Sequence, residues 1–290
     1  MQLGISIGRG GLAVPAAPPP GRLLLRWRLA IVGALVGLAA LAWWSTGVRM
    51  AGMDAGPGTD PGALGFFLTT WVVMMAAMMF PSIAPMTLMY ARLQRGRPAR
   101  GLTAERGAIG FFVAGYLLIW GAAGLLGYAA IELGRRLDGG FFAWGHAGRW
   151  TAAAVLLGAA VYEFTPAKYA CLGRCRSPLG FLVTSWRDGR AGALHMGAVH
   201  GAWCLGCCWL LMAGLFALGA MSVPWMIVIA VLIALEKLLP WRALATAVVA
   251  LTLVLLAIGV AAVPAHVPGL TVPSGGHGMQ MSGMDAGGMP

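Results

Sequence analysis

Residues 64–91 read LGFFLTTWVVMMAAMMFPSIAPMTLMYA and contain no charged side chain. About 20 consecutive apolar residues are enough to cross a bilayer as a helix. Because lipid offers the backbone no hydrogen-bond partner, a run of this length is predicted to be helical. The rest of the chain is similar, since 59% of its 290 residues are hydrophobic and 10% are charged, against roughly 25% charged in soluble domains. We therefore predict an all-α, polytopic membrane protein.

Further apolar runs lie on both sides of this stretch. Together they predict a bundle of seven transmembrane helices, at residues 28–47, 64–91, 107–133, 149–166, 192–220, 222–239 and 242–263. The fourth and sixth runs are near the lower length limit of a span, so six is the alternative count. The alternation typical of a membrane β-barrel is absent. The predicted bundle, residues 28–263, lies between a Pro/Gly-rich segment at 1–27, expected to be disordered, and a tail at 264–290.

Basic residues are concentrated before the first run and after the second, fourth and sixth runs. Positive charge marks the cytoplasmic side of a membrane protein. We therefore predict a multi-pass protein of the bacterial inner membrane, with a cytoplasmic amino terminus and a periplasmic carboxyl-terminal tail. The net charge of +11 then serves topology and contact with anionic membrane lipid. Nucleic acid is not an expected partner, because the basic residues are dispersed over several short connections.

Methionine is unusually dense in the opening stretch. The four residues concerned are Met74, Met75, Met78 and Met79. In a helix they form two adjacent stripes, and Pro81 and Pro85 then free carbonyls and bend the chain. Thioether sulfur favours Cu(I) among the biological metals, although methionine more commonly fills gaps in a core. We interpret the four as candidate metal ligands.

The fifth run contains the second candidate set, in the stretch HGAWCLGCCWLLM at residues 200–212. Its possible ligands are His200, Cys204, Cys207, Cys208 and Met212. Steps of three and four place them on one side of a helix. We expect them to meet the methionines near the membrane midplane. The alternative is that the cysteines are small apolar core residues.

The third candidate set is a pair, Cys171 and Cys175, in a connection predicted to be a cytoplasmic loop. Neighbouring lysine and arginine residues are expected to lower the thiol pKa and favour thiolate. The pair is expected to exchange Cu(I) inside the cell, or to work as a redox pair. Glu163 and Glu236 lie close to apolar runs, where an ionisable residue is a functional candidate. For Glu236 with Lys237 we expect a position at the membrane interface.

A repeated phrase near both ends of the chain suggests metal capture outside the cell. MAGMDAG occupies residues 50–56 and MSGMDAG residues 281–287, and both fall on the predicted periplasmic face. The second lies in a tail whose candidate ligands are His277, Met279, Met281 and Met284. Methionine remains usable in an oxidising compartment that would consume thiols.

Three blocks of this chain together carry a resemblance to a known family. MMAAMMFPS at 74–82, YEFTPAKYACLGRCRSPLGF at 162–181 and HGAWCLGCCWLLM followed by ALEKLLP at 234–240 are similar to bacterial predicted metal-binding integral membrane proteins. This is a domain-of-unknown-function family, and the resemblance spans about residues 64–240. It implies a membrane location and metal binding by the methionines, cysteines and His200 named above, with Glu236 as a further candidate.

The sequence favours Cu(I) handling or transport across the inner membrane, with a periplasmic copper protein as a possible acceptor. It contains no G-x-x-x-x-G-K-[ST] nucleotide motif, and no hydrolytic motif is recognisable. One alternative is a membrane thiol oxidoreductase that uses Cys204 with Cys207 or Cys171 with Cys175. Another is a non-catalytic subunit or assembly factor for a cuproenzyme. For that alternative, the glycines at 121, 124 and 127 offer a small-residue packing face.

Overall fold

The computed structural model describes residues 20–50, 62–98, 105–137, 147–219, 222–264 and 267. These residues form nine α-helices and no strand, which confirms the all-α class for the described part of the chain. In chain order the helices are α1 (Pro20–Met50), α2 (Leu64–Gly96), α3 (Ala108–Leu137), α4 (Arg149–Tyr162), α5 (Pro166–Arg176), α6 (Pro178–Ser185), α7 (Gly189–Leu218), α8 (Val223–Leu238) and α9 (Arg242–Ala262). The amino-terminal segment up to residue 19, most of both repeated phrases and the tail ligands at 277–284 lie outside the described residues.

Five of the described helices are long and apolar enough to cross a membrane: α1, α2, α3, α7 and α9. By length and composition the described residues therefore contain fewer such helices than the seven, or alternatively six, that the sequence predicted. Helix α4 has 14 residues and α8 has 16. At 1.5 Å per residue they are about 21 and 24 Å long, short of the roughly 30 Å of a hydrocarbon core. Helix α8 keeps the bounds of its predicted run to within one residue, whereas α4 ends four residues before its predicted run.

The two short helices return the chain between long helices that run in the same direction. Gly197 of α7 lies against Phe112 of α3, and further along both helices Phe216 lies against Gly127, so α3 and α7 are parallel. Helix α4 runs antiparallel to α7, because Leu156 lies at Gly214 and the Tyr162 hydroxyl reaches the Gly206 carbonyl. The end of α8 also reaches back to the middle of α7.

Helices α2 and α7 are the most deeply buried of the five long helices, whereas α1, α3 and α9 present more apolar surface to the outside. Trp44, Leu126 and Leu255 are among the large side chains exposed there. Contiguous apolar surface on this scale is typical of a protein that contacts lipid or another protein.

Helices α3 and α7 approach each other closely at two glycines. A Cβ on Gly115 would lie 2.0 Å from the Leu194 carbonyl oxygen, and one on Gly197 would lie 1.9 Å from that of Phe112. Small residues permit this approach in membrane bundles. Of the three glycines highlighted in the sequence, only Gly124 is tightly enclosed, with Trp71 of α2 2.4 Å from its would-be Cβ.

The segment around Cys171 and Cys175, which was predicted to be a loop, is helical, so that prediction was wrong. Thr165 caps α5 by accepting a 3.3 Å hydrogen bond from the Lys168 amide. Pro166 occupies the first turn, where its missing N–H costs nothing. Ser177 then separates α5 from α6, which begins at Pro178. Two short helices therefore replace a flexible connection and hold the cysteines against the bundle.

We expect Gly115→Ala to destabilise the bundle, because the new methyl group would overlap the α7 backbone. Overpacking of this kind costs about 1–3 kcal/mol. Thermal unfolding of the detergent-purified protein measures it. The matched control is Gly134→Ala in the same helix, where no atom lies within 4 Å of the new Cβ. Equal melting temperatures for the two variants would contradict the close crossing.

Candidate metal centre

All five cysteines of the chain are free thiols, and they gather on two helices. Cys204, Cys207 and Cys208 are buried on α7, and Cys171 and Cys175 are partly buried on α5. We call these five residues the thiol cluster. Helix α5 docks on α7 where Gly206 leaves room, since a Cβ there would lie 2.9 Å from the Cys171 sulfur.

The docking of α5 brings thiols from two distant segments into contact. The Sγ atoms of Cys175 and Cys207 are 4.0 Å apart. The Cys204 carbonyl accepts 3.0 Å hydrogen bonds from the thiols of both Cys207 and Cys208. The sequence identified both sets of cysteines, but it predicted separate roles for them. The structure makes Cys175 a neighbour of the α7 cysteines.

Three other helices contribute polar groups beside Cys204. The Tyr116 hydroxyl of α3 lies 3.0 Å from its sulfur, and the Lys237 ammonium of α8 donates to that sulfur at 2.9 Å. Lys237 also lies 3.4 Å from the Ser82 hydroxyl of α2. Sequence reasoning placed Lys237 at the membrane interface and missed Tyr116 and Ser82. The only sequence feature that distinguishes Lys237 is its position near the end of an otherwise apolar helix.

The expected lowering of the pKa of the α5 cysteines was wrong. Burial raises the pKa of Cys171, and the opposing effect of Arg174 is smaller. The neighbouring thiols of Cys204 and Cys207, together with burial, raise the pKa of Cys175 well above its usual range. The guanidinium of Arg174 lies over the Trp203 ring, 4.4 Å from its centroid.

The four predicted methionine ligands are all buried in α2 and belong to the same core as the cysteines of α7. Hydrogen bonds link α2 to Cys204, because Lys237 contacts both Ser82 of α2 and the Cys204 sulfur. Ser82 in turn donates to the Met79 carbonyl at 2.8 Å. Met212 is buried on α7. Coordination by these five sulfurs, and their meeting at the membrane midplane, stay predictions.

His200 is buried among aromatic rings. The rings of Phe112, Tyr116 and Phe181 have centroids 6.0, 6.0 and 5.3 Å from that of the imidazole. Within the described residues its Nδ1 atom has no hydrogen-bond partner. The predicted face of α7 is real, since His200 and Cys204 both approach Tyr116, but a role for His200 as a metal ligand stays a prediction.

A buried ionic network holds α5 in place. The Lys168 ammonium contacts the carboxylate of Glu163 at the end of α4, and it lies 2.7 Å from that of Glu236 on α8. Arg176 donates to the Glu236 carbonyl at 3.0 Å. The side chain of Glu236 is 2% exposed and ion-paired, and its expected position at the membrane interface stays a prediction. Burial raises the pKa of Glu163, and the neighbouring Glu236 acts in the same direction.

Within the described chain no three His, Cys, Asp or Glu side chains converge as a metal site does. The geometry provides instead a pair of thiols with further thiols beside it. Structural zinc sites require four ligands, whereas Cu(I) also accepts two thiolates in line. Methionine thioethers are further soft donors. The arrangement is therefore suited to a soft, low-coordinate ion.

The sequence model of the PpoB2 family, described as a copper chaperone, matches residues 68–261. The chain belongs to this copper chaperone family. The match includes the four methionines of α2, every cysteine and Lys237. It confirms a copper-related family, where the sequence resemblance had implied metal binding in general. No curated protein and no solved structure matches the chain.

We expect the Lys168→Met substitution to release α5 from the rest of the helix bundle. Removing one partner of a buried ion network leaves uncompensated charge and costs about 3–5 kcal/mol. The measurements are thermal unfolding and the rate of Cys175 alkylation, which should rise. Arg174→Met is the control, because that side chain lies on the exposed face of the same helix. Unchanged alkylation in the Lys168 variant would show that the network does not position Cys175.

Proposed function

We propose that this protein is an integral membrane Cu(I)-handling protein of the bacterial inner membrane, in which copper is cargo and four cysteines of the thiol cluster, Cys175, Cys204, Cys207 and Cys208, form its binding site. The observation that carries the proposal is the 4.0 Å contact between Cys175 and Cys207, in a chain of the copper chaperone family. The five long apolar helices support the membrane location. The basic residues of the sequence support a cytoplasmic amino terminus.

The geometry supports Cu(I) over harder or more highly coordinated ions. Thiolate and thioether ligands select soft metals. A two-thiol contact without a third converging His, Cys or carboxylate in the described residues does not meet the needs of tetrahedral zinc. We therefore assign Cys175 and Cys207 as first ligands, with Cys204 and Cys208 as exchange partners beside them.

Such a site permits transfer by ligand exchange. The methionines of α2 lie in the same core and offer weaker soft donors on the way to the thiols. The tail residues His277, Met279, Met281 and Met284 would capture copper outside, where a periplasmic copper protein is the proposed donor or acceptor. Because the sequence contains no nucleotide-binding motif, differences in affinity between partners supply the drive in this proposal.

The same contact supports a second candidate, a membrane thiol oxidoreductase. Two thiols at 4.0 Å can close to a disulfide after a small movement, since a bonded S–S distance is about 2 Å. The pair in contact differs from the two pairs that the sequence suggested. An external oxidant would accept two electrons and two protons in this step.

We expect the double variant Cys175→Ser, Cys207→Ser to lose most of the copper that the intact protein retains. The measurement is elemental analysis of detergent-purified protein that has been loaded anaerobically with Cu(I) and desalted. Cys171→Ser is the control, because the Cys171 sulfur faces Gly206. A double variant that retains as much copper as the parent would exclude the thiol pair as the site.

Truncation after Pro273 tests the role of the tail by the same assay. We expect the truncated protein to retain its tightly bound copper and to load more slowly from a dilute Cu(I) source. Loss of the bound copper on truncation would instead place the tight site in the tail.

Counting thiols in cells separates copper handling from redox work. If the protein handles copper, alkylation with a mass-shifting maleimide should give the same five reactive thiols with and without oxidative stress, after denaturation. A reversible loss of two thiols that is abolished in Cys175→Ser would favour the oxidoreductase.

A further inference from the structure

One positive charge in the metal centre has no carboxylate partner. Lys237 is partly buried, and its ammonium contacts Cys204 and Ser82. In the described chain no Asp or Glu lies within ion-pair distance of it. The adjacent acid, Glu236, is already paired with Lys168. The thiols are therefore the groups that can balance Lys237.

The groups that contact the Lys237 ammonium, or lie beside the sulfur that it contacts, are hydroxyls and thiols. Helix α2 provides the Ser82 hydroxyl, α3 the Tyr116 hydroxyl beside Cys204, and α7 the cysteines themselves. An uncompensated charge in such surroundings is costly. The positive charge of Lys237 consequently stabilises the thiols in a form, with or without a bound ion, that carries one net negative charge.

The net charge of the occupied site depends on the charge of the ion that it binds. Two thiolates carry two negative charges, and Lys237 carries one positive charge. A monovalent ion makes the assembly neutral, whereas a divalent ion leaves one positive charge. We infer that Lys237 is a specificity-determining residue that makes the two-thiolate site select a monovalent soft ion, Cu(I), over divalent soft ions. This inference rests on the proposed function and adds the basis of its selectivity.

The lysine is well placed for this role. It approaches Cys204, three residues before Cys207, so its charge lies next to the two-thiol pair without being one of the ligands. Its helix position is fixed by the neighbouring residue, because Glu236 is held by Lys168 and Arg176. A fixed charge is required, since a mobile side chain would swing away and leave the site indifferent to the charge of the ion.

Lys237→Met removes the charge and keeps an unbranched side chain. Cu(I) binding is measured by competition with bathocuproine disulfonate, and Hg(II) binding by competition with dithiothreitol. Both ions accept two thiolates in line, so the comparison isolates their charge. Each ion displaces two thiol protons, so binding lowers the charge of the site by one for Cu(I) and leaves it unchanged for Hg(II). We expect the affinity for Cu(I) to fall about tenfold and that for Hg(II) to change little. Lys237→Arg keeps the charge and should leave the ratio of the two affinities close to that of the parent.

A second variant neutralises the charge of Lys237 by adding a negative charge beside it. Ser82→Asp would place a carboxylate beside the ammonium, which is 3.4 Å from the present hydroxyl. Because the new carboxylate balances the charge of Lys237, we expect the same loss of affinity for Cu(I) with little change in the affinity for Hg(II). This variant keeps the inference testable if Lys237→Met does not fold.

The outcomes separate the inference from the proposed function. An intact protein that binds no Cu(I) would overturn the proposed function itself. An intact protein that binds Cu(I), with variants that change the affinities for both ions by the same factor or not at all, would overturn only the role of Lys237. A loss of affinity for Cu(I) with the affinity for Hg(II) retained would support it, because a general loss of structure lowers both affinities.

Discussion

The buried contact of Lys168 with Glu163 and Glu236 is the interaction on which the metal centre depends. It joins α4, α5 and α8 at one point. Through α5 it holds Cys175 against Cys207, and through α8 it fixes the residue next to Glu236, which is Lys237. Replacing such a network with apolar side chains is often neutral for stability. Its value here is positional, since it orients two groups that belong to separate helices.

Hydropathy was sufficient to predict the fold class and the five long helices, because lipid requires long apolar helices with satisfied backbones. It also placed α8 to within one residue, but it ran four residues past the end of α4, since an apolar run does not show where its helix will stop. It also missed α5 and α6, whose helical starts are encoded by Thr165, Pro166 and Pro178 and not by apolar length. Local capping chemistry would have found these two helices.

For the metal centre, residue type and spacing identified the cysteines and the buried methionines but not their relations. The contact of Cys175 with Cys207 depends on how closely helices approach, which is set at glycines such as Gly206. The inward direction of Lys237 depends on the packing of α8 against α2 and α7. Neither can be derived from the spacing of residues along one helix. Spacing also gave the wrong environment for Cys171, because burial outweighs the cations nearby.

The position of charge in this bundle links stability and selectivity. Two neighbouring residues of α8 carry opposite charges, yet they do not neutralise each other, because Glu236 pairs with Lys168 and Lys237 with Cys204. If Glu236 paired with Lys237, α5 would lose its anchor and the thiols would lose their counter-charge. Their separation means that the same turn of helix both anchors α5 and, under the proposed selectivity, supplies the charge that a bound ion would balance.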